Sequence, residues 1–202
     1  MSLGILDEEI VIASHNSGKI KEFRDLFEKY KINIKPASDF NIIEPEETGS
    51  TFSENALIKA RETTKRSGQL SIADDSGLCV DALDGDPGIY SARWAGEDKD
   101  FSRAIDLIKD KLENKKVKET KAHFMCSLAV VWPNRQYKVY EGRVYGQISF
   151  PPRGNNGFGY DPIFIPDGYR ITFGEMDPSE KHSISHRANA FNLLKSELLN
   201  DR

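Results

Sequence analysis

The segment that begins at Ser71 constrains the fold more than any other part of the chain. The short apolar run Ser71-Ile72-Ala73 ends in two adjacent carboxylates, Asp74 and Asp75, followed by Ser76 and Gly77. An apolar run closed by turn residues is typical of a buried strand. In open α/β sheets, the residues at the carboxyl end of such a strand lie at the edge where ligands bind. The segment therefore predicts a ligand site at Asp74 and Asp75.

Two adjacent carboxylates repel each other, so a partner must offset their charge. Mg²⁺ is a suitable partner, because it takes one or two carboxylates together with substrate oxygens. The alternative is a turn in which one aspartate caps a helix. The sequence after Gly77 resumes as the apolar run Leu78-Cys79-Val80, so no helix there needs a cap. This favours a metal or general-base site.

Composition limits the remaining possibilities. The chain has 202 residues with 38% hydrophobic and 30% charged side chains, which fits one large domain or two closely joined lobes. A formal net charge of −4 provides no field that would attract nucleic acid, so any phosphate binding must use a few placed cations. No apolar run approaches the roughly 20 residues that span a bilayer, and the first residues lack a secretory signal. Cys79 and Cys126 lie in apolar runs and are expected to be buried thiols in a reducing compartment. We expect a cytoplasmic protein with no nucleic-acid or membrane partner.

The order of predicted elements indicates the fold class. Strands alternate with helices in the first half, and a hairpin follows in the second half. Predicted strands cover residues 9–13, 32–35, 71–73, 78–80, 122–132, 137–145 and 158–165, and predicted helices cover 20–30, 51–67, 100–112 and 188–198. Thr51-Phe52-Ser53-Glu54 fits a capping box that opens the second helix. Asp100 starts the third helix, which bears the apolar residues Phe101, Ala104, Ile105, Ile108 and Leu112. Asp177-Pro178-Ser179-Glu180 predicts a further helix start, with Pro at the first helical position. We expect an α/β fold, with a mixed β-sheet flanked by helices, in two lobes around a central substrate cleft. The prediction is a single domain over residues 1–202 whose lobes do not fold independently.

The loop after the first strand is a candidate phosphate site. It reads Ser14-His15-Asn16-Ser17-Gly18-Lys19 and precedes an amphipathic helix, so backbone N–H groups and the helix dipole would face an anion there. Lys19 adds a positive charge. The loop is not a Walker A motif, because that motif needs an earlier Gly and a Ser or Thr after the Lys. A plain helix cap with a solvated Lys19 is an equal alternative.

An acidic loop offers a second set of metal ligands. Glu44, Glu46 and Glu47 are either a solvated loop or the source of one ligand opposite Asp75. The sequence does not choose among the three glutamates.

The segment Phe158-Gly159-Tyr160-Asp161 combines two aromatic rings with a carboxylate at a predicted strand start. One interpretation is two core aromatics and a turn aspartate. The other is an aromatic ring that stacks on a purine, an interaction worth ~1–3 kcal/mol per base. Neighbouring glycines would then let the backbone approach the ligand closely.

Four potential cations lie within the seven residues from Lys181 to Arg187, including His182 and His186. The helix dipole disfavours cations at the start of the last predicted helix, so an anionic ligand in front of them would explain their position. A nucleophilic Ser–His pair is disfavoured, since no oxyanion loop or nucleophile elbow accompanies it.

Six segments together resemble the inosine triphosphate pyrophosphatase family, from about residue 10 to residue 195. The matching segments are Ser14-x-Asn16-x-x-Lys19, Thr48-Gly49-x-Thr51-Phe52-x-Glu54-Asn55-Ala56, Ala73-Asp74-Asp75-Ser76-Gly77-Leu78, Pro87-Gly88-Ile89-Tyr90-Ser91-Ala92-Arg93, Phe158-Gly159-Tyr160-Asp161-Pro162-x-Phe164 and Ser185-His186-Arg187. The resemblance implies a Mg²⁺-dependent enzyme, typically a homodimer, that hydrolyses ITP, dITP and XTP to the monophosphate and pyrophosphate. His15 stands where the family commonly has a small residue.

The resemblance also implies a role for each matched residue. Residues 14–19 would hold the triphosphate, and Lys59 and Lys181 would neutralise phosphate charge. Asp75 would be the general base and a metal ligand, supported by Asp74, with Glu47 or Glu46 as a further metal ligand. Ser76 would touch the substrate, Phe158 would stack on the base, and Asp161, His186 and Arg187 would complete base recognition, with Gly159 and Tyr160 in the same segment. This division suits phosphoryl transfer, which needs positioning, charge neutralisation and a group that orients or deprotonates water.

Two other functions are compatible with parts of this pattern. A Mg²⁺-dependent phosphohydrolase with an aspartyl nucleophile would normally carry Asp-x-Asp at such a strand end, whereas Asp74 and Asp75 are adjacent. A non-enzymatic nucleotide-binding regulator would keep the phosphate loop but would not need Asp75. The released product distinguishes the three functions, being pyrophosphate, orthophosphate or none.

Overall fold

In the computed structural model of the protein, residues 9–199 are described. This range contains six strands and six α-helices. Strands and helices alternate up to the third strand, and after it helices follow helices and strands follow strands in short runs. The strands are β1 (Glu9–Ile12), β2 (Asn33–Pro36), β3 (Ser71–Val80), β4 (Lys121–Val131), β5 (Tyr137–Ile148) and β6 (Phe164–Pro166). The helices are α1 (Ser17–Phe27), α2 (Phe52–Ser67), α3 (Ser91–Trp94), α4 (Phe101–Asn114), α5 (Pro178–Ile184) and α6 (His186–Leu198).

The strands form one mixed sheet in the order β2-β1-β3-β4-β5-β6. β1 pairs in parallel with both β2 and β3, while β5 and β6 are antiparallel. Parallel neighbours need a crossover connection, and α1 and α2 lie in the two connections that link β1 to β2 and β2 to β3. The predicted α/β class with a mixed sheet and flanking helices is confirmed.

The chain divides into two compact units. Of the described residues, the first contains 9–75, 126–142 and 190–199, and the second contains 76–125 and 143–189. The predictions that the chain is one domain, and that a cleft between two lobes holds the substrate, stay predictions.

One sheet face in the first unit is covered by α1 and α6. Cys126, Leu128 and Val130 alternate along β4 and belong to the same buried cluster as both helices. Phe27 of α1 and Phe191 of α6 meet edge to face with ring centroids 4.9 Å apart. This alternation is the period of two that a strand imposes on its side chains.

The opposite face of the first unit is covered by α2. Ala129 and Val131 of β4 pack with Ala56 and Ala60 of α2 and with Ala73 of β3. Because these residues are small, α2 lies close to the strand that carries Asp74 and Asp75. Thr51 caps α2 by accepting a hydrogen bond from Glu54 N, as the sequence predicts.

The second unit has its own core around α4. Its buried apolar side chains lie on one helical face, as predicted, and pack among aromatic rings. The helix contributes Ala104, Ile105, Ile108 and Leu112, and the rings include Phe124, Phe164 and Phe173. Asp100 caps this helix through Ser102 N and Arg103 N.

Two predicted boundaries are wrong, and both affect functional residues. β3 continues without a break from Ser71 to Val80, so Asp74 and Asp75 lie inside a strand instead of at its end. Asp161 lies in a 3-10 turn, Asp161–Ile163, before the strand β6 instead of at a strand start.

The basic segment is also divided differently from the prediction. Lys181 and His182 lie in the last turn of α5, where the helix dipole favours cations, and only His186 and Arg187 begin α6. Ser185 separates the two helices, because its backbone is extended and its Oγ accepts a hydrogen bond from Ala188 N. None of the helices in residues 9–199 combines the length and the apolar character needed to cross a membrane.

Candidate active site

Asp74 and Asp75 lie beyond the end of a neighbouring strand. β1 stops at Ile12, which pairs with Ile72, so the next residues of β3 run past the carboxyl end of β1. The expected sheet edge therefore exists, although it is formed by the end of β1 and not by the end of β3. Both aspartates are buried.

The carboxylate of Asp75 has a different partner on each oxygen. Lys59 Nζ lies 3.1 Å from Oδ1, and Asn55 Nδ2 donates to Oδ2 over 3.2 Å. Burial raises the pKa of Asp75 to about 6. The positive charges of Lys59 and, to a smaller extent, Lys19 lower this pKa, while the negative charge of the nearby Glu47 raises it further. Asp75 is thus ionised at neutral pH and can still accept a proton in that range.

Lys59 connects the acidic loop to Asp75. Its side chain is 3% exposed, and its ammonium also contacts Glu47 Oε1 at 2.5 Å. Burial opposes the charge of Lys59, but Asp75, Asp74 and Glu47 more than offset this effect and raise the pKa of Lys59. The ammonium is therefore held charged between two carboxylates.

Asp74 pairs with the predicted phosphate loop. Lys19 Nζ lies 2.9 Å from Asp74 Oδ1, and the lysine side chain is largely covered. Asn16 caps α1, because its Oδ1 accepts hydrogen bonds from Gly18 N and Lys19 N. These two N–H groups, which the sequence predicts to be available to an anion, are thus satisfied by Asn16. The alternative prediction, a plain helix cap with a solvated Lys19, is correct for the cap, which Asn16 provides. It is wrong for Lys19, which forms an ion pair with Asp74.

The other residues of the loop have more varied surroundings. Ser14 is buried and its Oγ accepts a hydrogen bond from Asn16 N at 3.1 Å. His15 is exposed, and its Nε2 lies 2.8 Å from the carbonyl oxygen of Ile42. Ser17 is exposed at the first position of α1.

Sequence reasoning gave no role to Asn55, which is fully buried in this cluster. Its Oδ1 accepts a hydrogen bond from Gly49 N at 2.8 Å while its Nδ2 donates to Asp75. The amide thus links the acidic loop to the catalytic candidate. The four-residue spacing between Asn55 and Lys59 was the available signal, because it places both side chains on one face of α2.

The cluster contains carboxylates that could hold a divalent cation. Glu47 and Asp75 contact the same ammonium, and Mg²⁺ uses one or two carboxylates with substrate oxygens and water. Within residues 9–199 no group of three or more His, Cys, Asp or Glu side chains is arranged for a metal ion. The donor set fits a cation that brings most of its ligands with the substrate. Glu44 and Glu46 are exposed, so Glu47 is the residue of the acidic loop that the fold brings to Asp75.

In the second unit, a separate cluster forms around Asp161. Its Oδ2 accepts hydrogen bonds from Phe158 N at 2.7 Å and from Lys181 Nζ at 2.5 Å. The lysine ammonium also lies 5.0 Å from the centroid of the Phe158 ring, which is 43% exposed. A Cβ on Gly157, at φ +75°, would lie 2.0 Å from Asp161 Oδ2. The glycine is needed to make room for the carboxylate.

Tyr160, which is among the predicted substrate-binding residues, lies in the core of the second unit. Its ring is 2% exposed and meets Phe101 edge to face, and its hydroxyl donates to the carbonyl oxygen of Ser91. The alternative interpretation as a core aromatic therefore applies to Tyr160. Gly159, with φ +68°, provides the turn that sends the two neighbouring rings to different surroundings.

His186 and Arg187 are buried at the start of α6. The imidazole of His186 stacks on Phe124, with ring centroids 5.0 Å apart and an interplanar angle of 16°. Arg187 Nη2 donates to Ser76 Oγ at 3.2 Å. Both residues of this contact lie in the second unit.

Known proteins match this chain over nearly its whole length. A model described as the Ham1 family matches residues 10–197. The chain is 50% identical over 188 residues to the dITP/XTP pyrophosphatase of Rhodospirillum centenum, which covers 93% of each chain.

Solved structures agree with this match. A HAM1 protein from Coxiella burnetii superposes with a TM-score of 0.87 at 41% identity, covering 93% of this chain and 96% of that one. The Staphylococcus aureus Ham1 protein gives a TM-score of 0.85 at 42% identity, covering 96% of this chain and all of that one. The resemblance identified from the six segments is confirmed.

Proposed function

Because the chain belongs to the Ham1 family, we propose that it hydrolyses non-standard purine nucleoside triphosphates such as dITP, XTP and ITP to the monophosphate and pyrophosphate, with Mg²⁺. The main observation behind the proposal is the charged cluster of Asp74, Asp75, Glu47, Lys19 and Lys59 in the first unit, in which both aspartates and Lys59 are buried. Buried charges persist only when they are paired, and this set can exchange its internal pairs for a polyphosphate and a cation.

Asp75 is proposed as the general base. A group that removes a proton from water works best with a pKa near the operating pH, and the raised pKa of Asp75, about 6, approaches that range. Asn55 fixes one oxygen of the carboxylate, which leaves Oδ1 directed at Lys59. Once the ammonium turns to a phosphate oxygen, Oδ1 becomes available to a water molecule or a cation.

Lys19 and Lys59 are proposed to bind the polyphosphate. Each is now paired with a carboxylate of β3, and an ammonium with three N–H donors can exchange that carboxylate for phosphate oxygens. Glu47 and Asp75 would hold Mg²⁺, which when bound neutralises charge on the phosphates and orients them. Asp74 positions Lys19.

The second cluster is proposed to recognise the base. The exposed ring of Phe158 offers a face for stacking, and Asp161 and Lys181 fix the segment that carries it. Lys181 is therefore assigned to base recognition and not, as the resemblance implies, to the phosphates. Arg187 would donate to the C6 oxygen of hypoxanthine or xanthine, with His186 beside it. Tyr160 is given a packing role only.

The homodimer is a proposal that rests on the family resemblance alone, and the cytoplasmic location is a proposal that rests on the composition and the two cysteines expected to be reduced.

Product analysis tests the proposed function. The purified protein is incubated with ITP, dITP, XTP and ATP, with Mg²⁺ or with chelator, and the products are separated by ion exchange. The proposal expects pyrophosphate and the monophosphate from the first three substrates, little turnover of ATP and no turnover in chelator. Orthophosphate as the sole product would indicate the phosphohydrolase instead, and binding without any product would indicate a nucleotide-binding regulator.

A further inference from the structure

The ammonium of Lys59 lies between the two carboxylates that are proposed to hold the divalent cation. It lies between Glu47 Oε1, at 2.5 Å, and Asp75 Oδ1, at 3.1 Å. The lysine side chain is 3% exposed, so water does not substitute for these contacts.

The charges of the cluster favour this internal pair over a free cation. Three carboxylates and two lysines leave one net negative charge, which a divalent cation would convert into a buried net positive charge. Without Lys59 the cluster would carry two negative charges, and a divalent cation would neutralise them. Electrostatic energies grow as the effective dielectric constant falls. The effect of the Lys59 charge on cation binding is therefore larger in this cluster than it would be at the protein surface.

A polyphosphate makes it easier for a divalent cation to replace Lys59, since its oxygens are new hydrogen-bond acceptors for the ammonium. Lys59 reaches the cluster on a flexible stem and has three donors, two of which are used by Glu47 and Asp75. When phosphate oxygens arrive, the ammonium can move to them and release both carboxylates.

We propose that Lys59 is an internal counterion that keeps the divalent-cation position closed in the free protein, so that the cation enters only together with the polyphosphate. The part that concerns the polyphosphate rests on the proposed function. The part that concerns the free protein does not, and it predicts that the nucleotide-free protein binds divalent cations poorly.

The experiment measures Mn²⁺ binding to nucleotide-free protein, by the electron paramagnetic resonance signal of unbound Mn²⁺. Lys59→Met keeps most of the side-chain volume without the charge, and we expect it to bind Mn²⁺ at least about tenfold more tightly than the wild type. Lys59→Arg should bind as weakly as the wild type. The control is Lys35→Met, which removes a lysine paired with Glu9 on the surface of the same unit and should leave Mn²⁺ binding unchanged.

Thermal melting covers the case in which Lys59→Met is poorly folded. The counterion role predicts that Mn²⁺ raises the melting temperature of Lys59→Met, or restores its folding, and leaves the wild type unaffected. Equal Mn²⁺ affinity in the wild type and Lys59→Met would overturn the inference, as would a Lys59→Met protein that stays unfolded in Mn²⁺. Neither readout involves turnover, so loss of the proposed function in the product assay would leave this result standing.

Discussion

Asn55 donates a hydrogen bond to Asp75 across 3.2 Å, and the two residues are 20 positions apart in the chain. The same amide accepts a hydrogen bond from Gly49 N, so one side chain fixes both the carboxylate and the loop that carries Glu47. The positions of the two proposed metal ligands are thus coupled through a single buried group.

Asn55→Asp should lower kcat by about tenfold or more, because the new carboxylate faces Asp75 and removes the donor while keeping the acceptor for Gly49 N. Steady-state kinetics with ITP measure the effect, and circular dichroism checks the fold. The control is Asn189→Asp, which removes a donor to the carbonyl oxygen of Arg143 in the second unit. Equal losses in the two variants would mean that Asn55 serves the fold and not the position of Asp75.

The sequence predicted local features of the fold well. The cap at Thr51, the cap at Asp100 and the buried face of α4 depend on residues close together in the chain, and all three are observed. The start of α5 at Asp177 and Pro178 was predicted, but the boundary at Ser185 was not, because residues 181–187 contain no Gly or Pro that would mark a helix end.

The site could be predicted in part. Adjacent carboxylates predicted the cluster at Asp75, but three equivalent glutamates could not be ranked until the fold brought Glu47 to Lys59. The role of Lys181 depends on Asp161, 20 residues away, and no pattern in the sequence reports that contact.

Arg187→Ala should shrink the preference for ITP over ATP. Arginine only donates hydrogen bonds, so it can pair with the C6 oxygen of hypoxanthine and cannot pair with the amino group of adenine. The ratio of kcat/KM for ITP to that for ATP should fall by about tenfold or more, while the ratio of ITP to GTP changes little because guanine also carries the C6 oxygen. Proportional losses for ITP and ATP would assign Arg187 to the fold or to the phosphates.

Gly157→Ala should weaken base recognition, since the added methyl group would collide with Asp161 Oδ2. The matched control is Gly168→Ala, where φ is +87° and a Cβ would meet nothing within 4 Å, so that only backbone strain is introduced. We expect KM for ITP to rise several-fold more in Gly157→Ala than in Gly168→Ala. Similar kinetics in the two variants would argue against a role for the Asp161–Lys181 pair.

The pH dependence of kcat/KM reports the state of Asp75 in the free protein. Burial raises the pKa of this carboxyl to about 6, so the ionised form is lost as the pH falls through that value. The rate should be nearly level above about pH 7 and should fall by about tenfold per unit well below pH 6. If kcat/KM of His186→Asn falls at the same pH as that of the wild type, the imidazole is excluded as the group that titrates. A kcat/KM that stays level down to about pH 5 would contradict the assignment of this fall to Asp75.

Native Cys79 should react slowly with iodoacetamide. Burial raises the pKa of its thiol to about 11, which leaves little thiolate at pH 8. Mass spectrometry should find Cys79 and Cys126 modified rapidly only after denaturation, since both are buried. Rapid labelling of Cys79 in the native protein at pH 8 would contradict its environment in β3.

Asp75→Asn tests most directly the claim that the cluster on β3 is the reaction centre. The amide preserves the shape of the side chain but neither accepts the proton from water nor holds a cation well. We measure pyrophosphate release from ITP and, in parallel, the binding of ITP to the same protein by calorimetry, with Asp84→Asn as a control in an exposed turn. The account predicts a loss of turnover of about 10²–10⁴-fold in Asp75→Asn with ITP still bound, and no loss in Asp84→Asn. Pyrophosphate release by Asp75→Asn at the wild-type rate would contradict it.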